Sequence, residues 1–151
     1  MSIATEKAPA ATNDGTYRVI VLDDLAEEGL AKLDAAPNIS YEIRTKLAGE
    51  ELREALTGYD GAVCRSGVKI TAESLEGNTS LKAIVRAGVG TDNIDKVAAA
   101  RLGIVVMNTP AGNTVSTAEH AMALLLGLSR NVAPAHASLK AGAWDLSLIH
   151  I

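Results

Sequence analysis

Two arginines carry the clearest chemical signal in this sequence. Each ends a short apolar run and is followed by a small residue and a glycine: Val63-Cys64-Arg65-Ser66-Gly67 and Ile84-Val85-Arg86-Ala87-Gly88. A guanidinium is a planar fork of donors suited to carboxylate or phosphate. A single such arginine could simply snorkel out of a strand end or pair with an acid. Two of them with the same sequel point to an anion site. The second continues into Ala87-Gly88-Val89-Gly90-Thr91-Asp92, where the glycines would let consecutive backbone N–H groups face an anion as a nest. The alternative is a tight strand-to-helix turn. The run does not meet the dinucleotide fingerprint. Asn93 stands at the third glycine position, and no acid lies about 20 residues on to hold a ribose. It is therefore not the main cofactor site.

Weaker candidates follow. Asn108-Thr109-Pro110-Ala111-Gly112-Asn113-Thr114 reads as a loop in which Asn108 and Asn113 offer donors and acceptors. A turn followed by a helix cap is its simpler reading. His120 and His136 lie in helical runs without a neighbouring acid in a cleft-like context and read as structural. Cys64, in an apolar run, reads as buried and inert. No metal-ligand spacing and no Ser-His-Asp arrangement stands out, so no catalytic residue and no metal ligand is assigned.

The elements that must position these residues can be read from periodicity. Strands are expected at Arg18–Leu22, Ile39–Arg44, Ala62–Arg65, Ala83–Arg86 and Ile104–Met107. Helical spacing is marked by Leu30 and Leu33, by Leu52 and Leu56, and by Ile94, Val97 and Ala98. Nearly all-apolar strands separated by helices imply a parallel sheet covered on both faces. The expected class is α/β and flavodoxin-like, with ligands beyond the carboxyl ends of the strands. Ser116 and Glu119 have the spacing of a capping box before a further helix. From Ala118 to Leu128 that helix is apolar except at Glu119, His120 and Gly127. An all-round apolar helix needs cover on more than one side, which implies a second domain or subunit.

Bulk composition bounds the function. With 151 residues, 48% hydrophobic and 21% charged, the chain can form one domain with a core of Val, Ile, Leu and Ala, since Phe is absent. A formal net charge of -4 argues against a nucleic-acid partner. It leaves room for a small anion, which needs only a few placed cations. One cysteine rules out an intrachain disulfide framework and fits a reducing compartment. The first residues lack the marks of a secretory or transit peptide and read as a disordered leader. No apolar stretch approaches the roughly 20 residues of a membrane span. The expected location is the cytoplasm, with no membrane partner.

Taken together, Arg65-Ser66-Gly67-Val68-Lys69-Ile70-Thr71, the run from Arg86 to Asp95 and the run from Asn108 to Thr114 resemble the D-isomer-specific 2-hydroxyacid dehydrogenases, most closely the branch acting on 3-phosphoglycerate. The resemblance extends from Tyr17 to Trp144, with Ala135 to Gly142 in the same style. It implies an NAD-dependent oxidoreductase that oxidises 3-phosphoglycerate, or another 2-hydroxy acid, at the 2-hydroxyl. For 3-phosphoglycerate that is the first step toward L-serine. Carried over position by position, backbone amides at Val89 and Gly90, in the turn opened by Gly88, would hold the substrate carboxylate. Arg65 and Ser66, with Arg86 nearby, would face the rest of the anion. Val89 would border the nicotinamide, and Asn113 would lie beside the substrate.

The same resemblance implies a leader over 1–16, a substrate domain over 17–113 and, over 114–144, a long helix leading into a missing Rossmann domain. That missing domain would bind most of the NAD. The family's glycine fingerprint and catalytic arginine, glutamate and histidine have no match here, so the chain is expected to be inactive alone. A homo-oligomer is expected for the full-length form. Residues 145–151 fit neither the family nor a sensible domain end, and the expectation is a truncated or mis-assembled reading frame. Two other readings remain in view. One is a non-catalytic module that binds an anion or a partner. The other, a phosphorylation receiver suggested by Asp23 and Asp24, is disfavoured because Arg65 and Asn108 stand where an acceptor Asp and a Lys are needed.

Overall fold

The computed structural model describes residues 15–149. The leader therefore lies outside the described residues except for Gly15 and Thr16, as do His150 and Ile151. Five strands form one parallel sheet: β1 (Tyr17–Val21), β2 (Ile39–Ile43), β3 (Gly61–Cys64), β4 (Ala83–Arg86) and β5 (Val105–Asn108). Their spatial order is β2-β1-β3-β4-β5, the doubly wound arrangement read from the sequence. In that order the chain reverses direction of winding between β1 and β3, so their carboxyl ends flank a crevice.

Four helices connect the strands: α1 (Glu27–Asp34), α2 (Gly49–Leu56), α3 (Ala72–Leu75) and α4 (Lys96–Arg101). On α2, Leu52, Ala55 and Leu56 fall three and four apart and are buried, with Glu50 and Glu51 in its first turn and Arg53 in its last. That charge order favours the helix dipole. The α1 helix is shallower, and none of its residues is buried.

The core joins Ile20, Leu22, Leu52, Leu56, Cys64, Ile70, Leu75 and Ile84. Ile20 and Val21 are adjacent on β1 and both fully buried, so the sheet centre is covered on both faces. The expectation of two covered faces does not extend to the edges. Ile43 on β2 and Val105 and Met107 on β5 are exposed, and these two are the edge strands of the sheet. Arg18 is the buried cation of this unit. It donates to Gly58 O at 2.7 Å and lies 4.7 Å from the centroid of the Tyr59 ring, which accounts for its burial.

Two further expectations need correction. Ile94 precedes α4 rather than lying in it, forming an isolated parallel bridge with Ile70, and Val97 is exposed while Ala99 is buried. Asp95 starts that helix, its carboxylate accepting the Ala98 N–H at 2.9 Å, so the apolar spacing there reflects a buried bridge followed by a short helix. Nor is there a capping box at Ser116 and Glu119. The helix begins two residues earlier, with Asn113 as N-cap, and Ser116 is already inside it, donating back to Asn113 O. A capping box does exist at Thr71 and Ser74, opening α3.

The chain divides after Pro110 into two compact units. The second contains α5 (Thr114–Ser129), α6 (Val132–Lys140) and a 3-10 turn at Leu146–Ile149. Asn131 joins the two helices in the left-handed conformation, at φ 53°. Along α5, Met122, Leu124, Leu125, Leu126 and Leu128 are all exposed. No helix of the described residues is long and apolar enough to cross a membrane.

Candidate functional site

Parallel pairing sets Cys64 beside Arg86. Arg65, the residue after β3, and Arg86, the last of β4, therefore emerge at the same edge of the sheet. The neighbouring β1 ends there too, since the Leu22 N–H bonds to Val63 O at 2.8 Å. The Asp23 carboxylate accepts the Arg65 backbone N–H at 2.5 Å, and the Arg65 guanidinium reaches Asp24 O at 3.3 Å. The crevice between β1 and β3 is thus closed by a carboxylate on one side and an arginine on the other. A Cβ at Gly67 would overlap Asp23 Oδ1, so no side chain fits there unless that carboxylate moves.

On β4 the guanidinium of Arg86 folds over the glycine turn that follows it. A Cβ on Gly88 would lie 2.6 Å from Arg86 Nη1, and one on Gly90 would lie 3.7 Å away. Arg86 Nε is buried and has no hydrogen-bond partner among the described residues. The Gly88 N–H turns back to Arg86 O at 2.9 Å, whereas the N–H groups of Val89 and Gly90 bond to none of the described residues. Two free amides beside an arginine head can take an anion. Asp92 works against this, because its Oδ1 would sit 2.8 Å from a Cβ on Gly90.

Two asparagines hold the turn in place. Asn108 donates to Val89 O at 2.6 Å, and the Thr109 N–H bonds to Gly88 O at 3.0 Å. From the other side, Asn93 donates to Arg65 O and to Val68 O, each at 2.8 Å. In the sequence Asn93 shows only as the residue at the third fingerprint position, and Asp23 only as one of two adjacent acids after the first strand. Nothing in one-dimensional spacing pairs these residues with partners 25 to 42 positions away.

The other sequence candidates are distributed as follows. Ser66 is exposed on the Arg65–Gly67 turn and Val89 is 38% exposed on the glycine turn. Asn113 belongs to the second unit, where its side chain makes no capping bond. Cys64 is buried. Loss of water, and secondarily the Asp23 carboxylate, push its thiol up to about 11. His120 and His136 lie on α5 and α6. Among the described residues no group of three or more His, Cys, Asp or Glu could hold a metal.

The pyrophosphate of a dinucleotide has no seat at this turn. The only helix it leads into, α4, has six residues, and its N-terminus is occupied by the chain's own Asp95 carboxylate, which would repel a pyrophosphate. Asn93, at the third fingerprint position, has its amide committed to two carbonyls.

Residues 19–143 match the family model described as D-isomer specific 2-hydroxyacid dehydrogenase, catalytic domain. D-3-phosphoglycerate dehydrogenase of Archaeoglobus fulgidus is 42% identical over 128 residues, which is 85% of this chain and 24% of that protein. The protein named hydroxypyruvate reductase of Thermotoga maritima is 41% identical over 130 residues, covering 85% of this chain and 42% of its own length. Among solved structures, the NAD+-bound 3-phosphoglycerate dehydrogenase of Entamoeba histolytica superimposes with a TM-score of 0.63 at 30% identity, over 74% of this chain and 39% of that one. The chain thus spans about a quarter of the length of the first curated relatives it matches.

Proposed function

This chain belongs to the D-isomer specific 2-hydroxyacid dehydrogenase family, and we propose that it is the substrate-gripping part of an NAD-dependent enzyme that oxidises 3-phosphoglycerate at its 2-hydroxyl. The observation that supports the reading is that Arg65 and Arg86 stand at the carboxyl ends of the adjacent strands β3 and β4, with the unpartnered amides of Val89 and Gly90 in the turn after Arg86. 3-Phosphoglycerate has a carboxylate and a phosphate. The two amides suit the carboxylate, and the two guanidinium forks suit the phosphate and the carboxylate edge. Ser66 adds a hydroxyl on the same turn. In this reading residues 17–113 are the substrate domain and 114–144 lead into the nucleotide-binding domain. NAD is held by residues outside this turn, and Val89 borders its nicotinamide. The cellular setting is the cytoplasm, and the whole enzyme assembles from identical subunits.

The chain alone provides the test. A ligand that binds only the folded state raises apparent stability, so 3-phosphoglycerate should raise the melting temperature, and Arg65→Ala should reduce the rise. No shift with 3-phosphoglycerate, phosphate or sulfate would leave both arginines as ordinary strand-end residues and remove the reading. The Thermotoga maritima relative's name favours a second substrate, hydroxypyruvate. A larger shift with hydroxypyruvate than with 3-phosphoglycerate would move the assignment to that acid, which has no phosphate for a second guanidinium to meet.

A further inference from the structure

The two turns that carry the arginines are separate pieces of chain, 21 residues apart in sequence, and an anion held by both requires their spacing to be fixed. Backbone bonds provide part of the tie. The Ile70 N–H bonds to Asn93 O at 2.9 Å and the Asp95 N–H to Ile70 O at 2.8 Å, making the Ile70–Ile94 bridge. These bonds lie at the far end of the first turn; at its near end the Ala87 N–H bonds to Cys64 O at 2.8 Å, joining the roots of the two turns one residue before Arg65. The bond that reaches Arg65 itself from the second turn comes from the Asn93 side chain, whose amide nitrogen donates to both Arg65 O and Val68 O.

Only an NH2 group can do this. It carries two hydrogens for two carbonyls, while a hydroxyl carries one and a carboxylate none. The same geometry fixes the amide's orientation, since a flipped Asn93 would set its oxygen against two carbonyl oxygens. The consequence is visible at the other end of the amide: Asn93 Oδ1 is buried with no partner among the described residues. A buried, unpaired acceptor is unfavourable, which offsets part of what the two bonds from the amide nitrogen contribute.

We propose that Asn93 is a positioning residue for the anion site, setting the Arg65 turn at a fixed distance from the Val89–Gly90 amides without touching the ligand. The proposal rests on the anion-binding reading above and identifies what pre-organises that site.

The test is titration of 3-phosphoglycerate into the 151-residue chain by calorimetry, with three variants. Asn93→Ala removes both donors. Asn93→Asp keeps size and shape but carries an acceptor-only carboxylate at neutral pH, so it answers the question should the alanine variant fail to fold. Asp95→Ala removes the α4 cap and destabilises the same segment while leaving the Asn93 amide in place. The expected result is affinity weaker on the order of tenfold or more in both Asn93 variants, from two lost hydrogen bonds, with Asp95→Ala binding like the wild type. Asn93→Asp should also recover affinity relative to the wild type as the pH falls through the carboxylate range, because a protonated acid regains one donor. Unchanged affinity in folded Asn93→Asp, or equal losses in Asp95→Ala and the Asn93 variants, would overturn the positioning role while leaving the site itself standing. Absence of binding by the wild-type chain would remove both readings.

Discussion

The Gly88→Ala variant is the sharpest probe of Arg86, because the added methyl meets the guanidinium and little else. Its Cβ would lie 2.6 Å from Nη1, 3.1 Å from Cζ and 3.6 Å from Nη2 of Arg86, the three nearest atoms. Gly88 is not among the glycines with positive φ, so alanine is tolerated by the backbone and the strain falls on the arginine. Ordinary contact begins near 3.4 Å, so the guanidinium must retreat by roughly 1 Å, enough to break hydrogen bonds to a bound anion. A bond to a charged group contributes about 1.5–3 kcal/mol, which corresponds to weakening of roughly 10- to 100-fold.

At a 3-phosphoglycerate concentration 100 times the wild-type dissociation constant, ligand stabilises the wild type by about 2.7 kcal/mol, falling to about 1.4 or 0.4 kcal/mol over that range. Each kcal/mol is worth about 2–4 °C in a chain of this length and about 4–8 °C if the first unit melts by itself, so the difference is measurable. The only tryptophan, Trp144, is 77% exposed and lies in the second unit, so melting is better followed by circular dichroism than by intrinsic fluorescence. Gly29→Ala is the control: its Cβ meets nothing nearer than Leu25 Cβ at 4.0 Å. It should stabilise α1 by up to about 1 kcal/mol and leave the ligand shift unchanged. A full ligand shift in folded Gly88→Ala would refute the assignment of Arg86 to the anion.

Two further outcomes follow from the titrating groups. The Asp60 carboxyl is held below its ordinary value, first by the Arg18 backbone N–H and then by the Lys82 ammonium. A depressed folded value means the stabilisation is complete above the unfolded value, about 3.9, and is lost as the pH falls through the lower folded value. Asp60→Asn should therefore show a shallower acid loss of stability than the wild type, measured by urea denaturation across that range, and an unaltered slope would contradict the assignment. Cys64, with its thiol pushed up to about 11 by burial, should react with a thiol reagent at pH 8 only as fast as the chain opens. Labelling as rapid as that of a free thiol in native buffer would show that the β3 end is not packed as described.

Most of the scaffold was legible because its signals are local. The strand ends beside Arg65 and at Arg86 follow from the apolar runs Ala62–Cys64 and Ala83–Val85, and the parallel order from helices placed between them. The failures share a cause. The spacing of Ile94, Val97 and Ala98 marks one helix, but Ile94 is buried by a bridge to Ile70, a contact 24 residues back in sequence. The Ser116–Glu119 pair has the right interval for a cap, yet the helix had already started at Thr114. Intervals within one element constrain that element alone.

The site divides along the same line. Arginine and glycine announce themselves by type, since a charged fork at a strand end and a residue without a side chain are unusual wherever they occur. Asp23, Asn93 and Asn108 are ordinary loop residues in sequence, and their roles exist only after β1, β3, β4 and β5 have been brought side by side. The groups proposed to touch the anion could therefore be named from the chain, while those that fix the distance between them emerge only from the fold. That asymmetry makes a direct physical demand. If Asn93 and Asn108 set the geometry that Arg65 and Arg86 use, removing either amide should weaken binding without removing a single charge from the site.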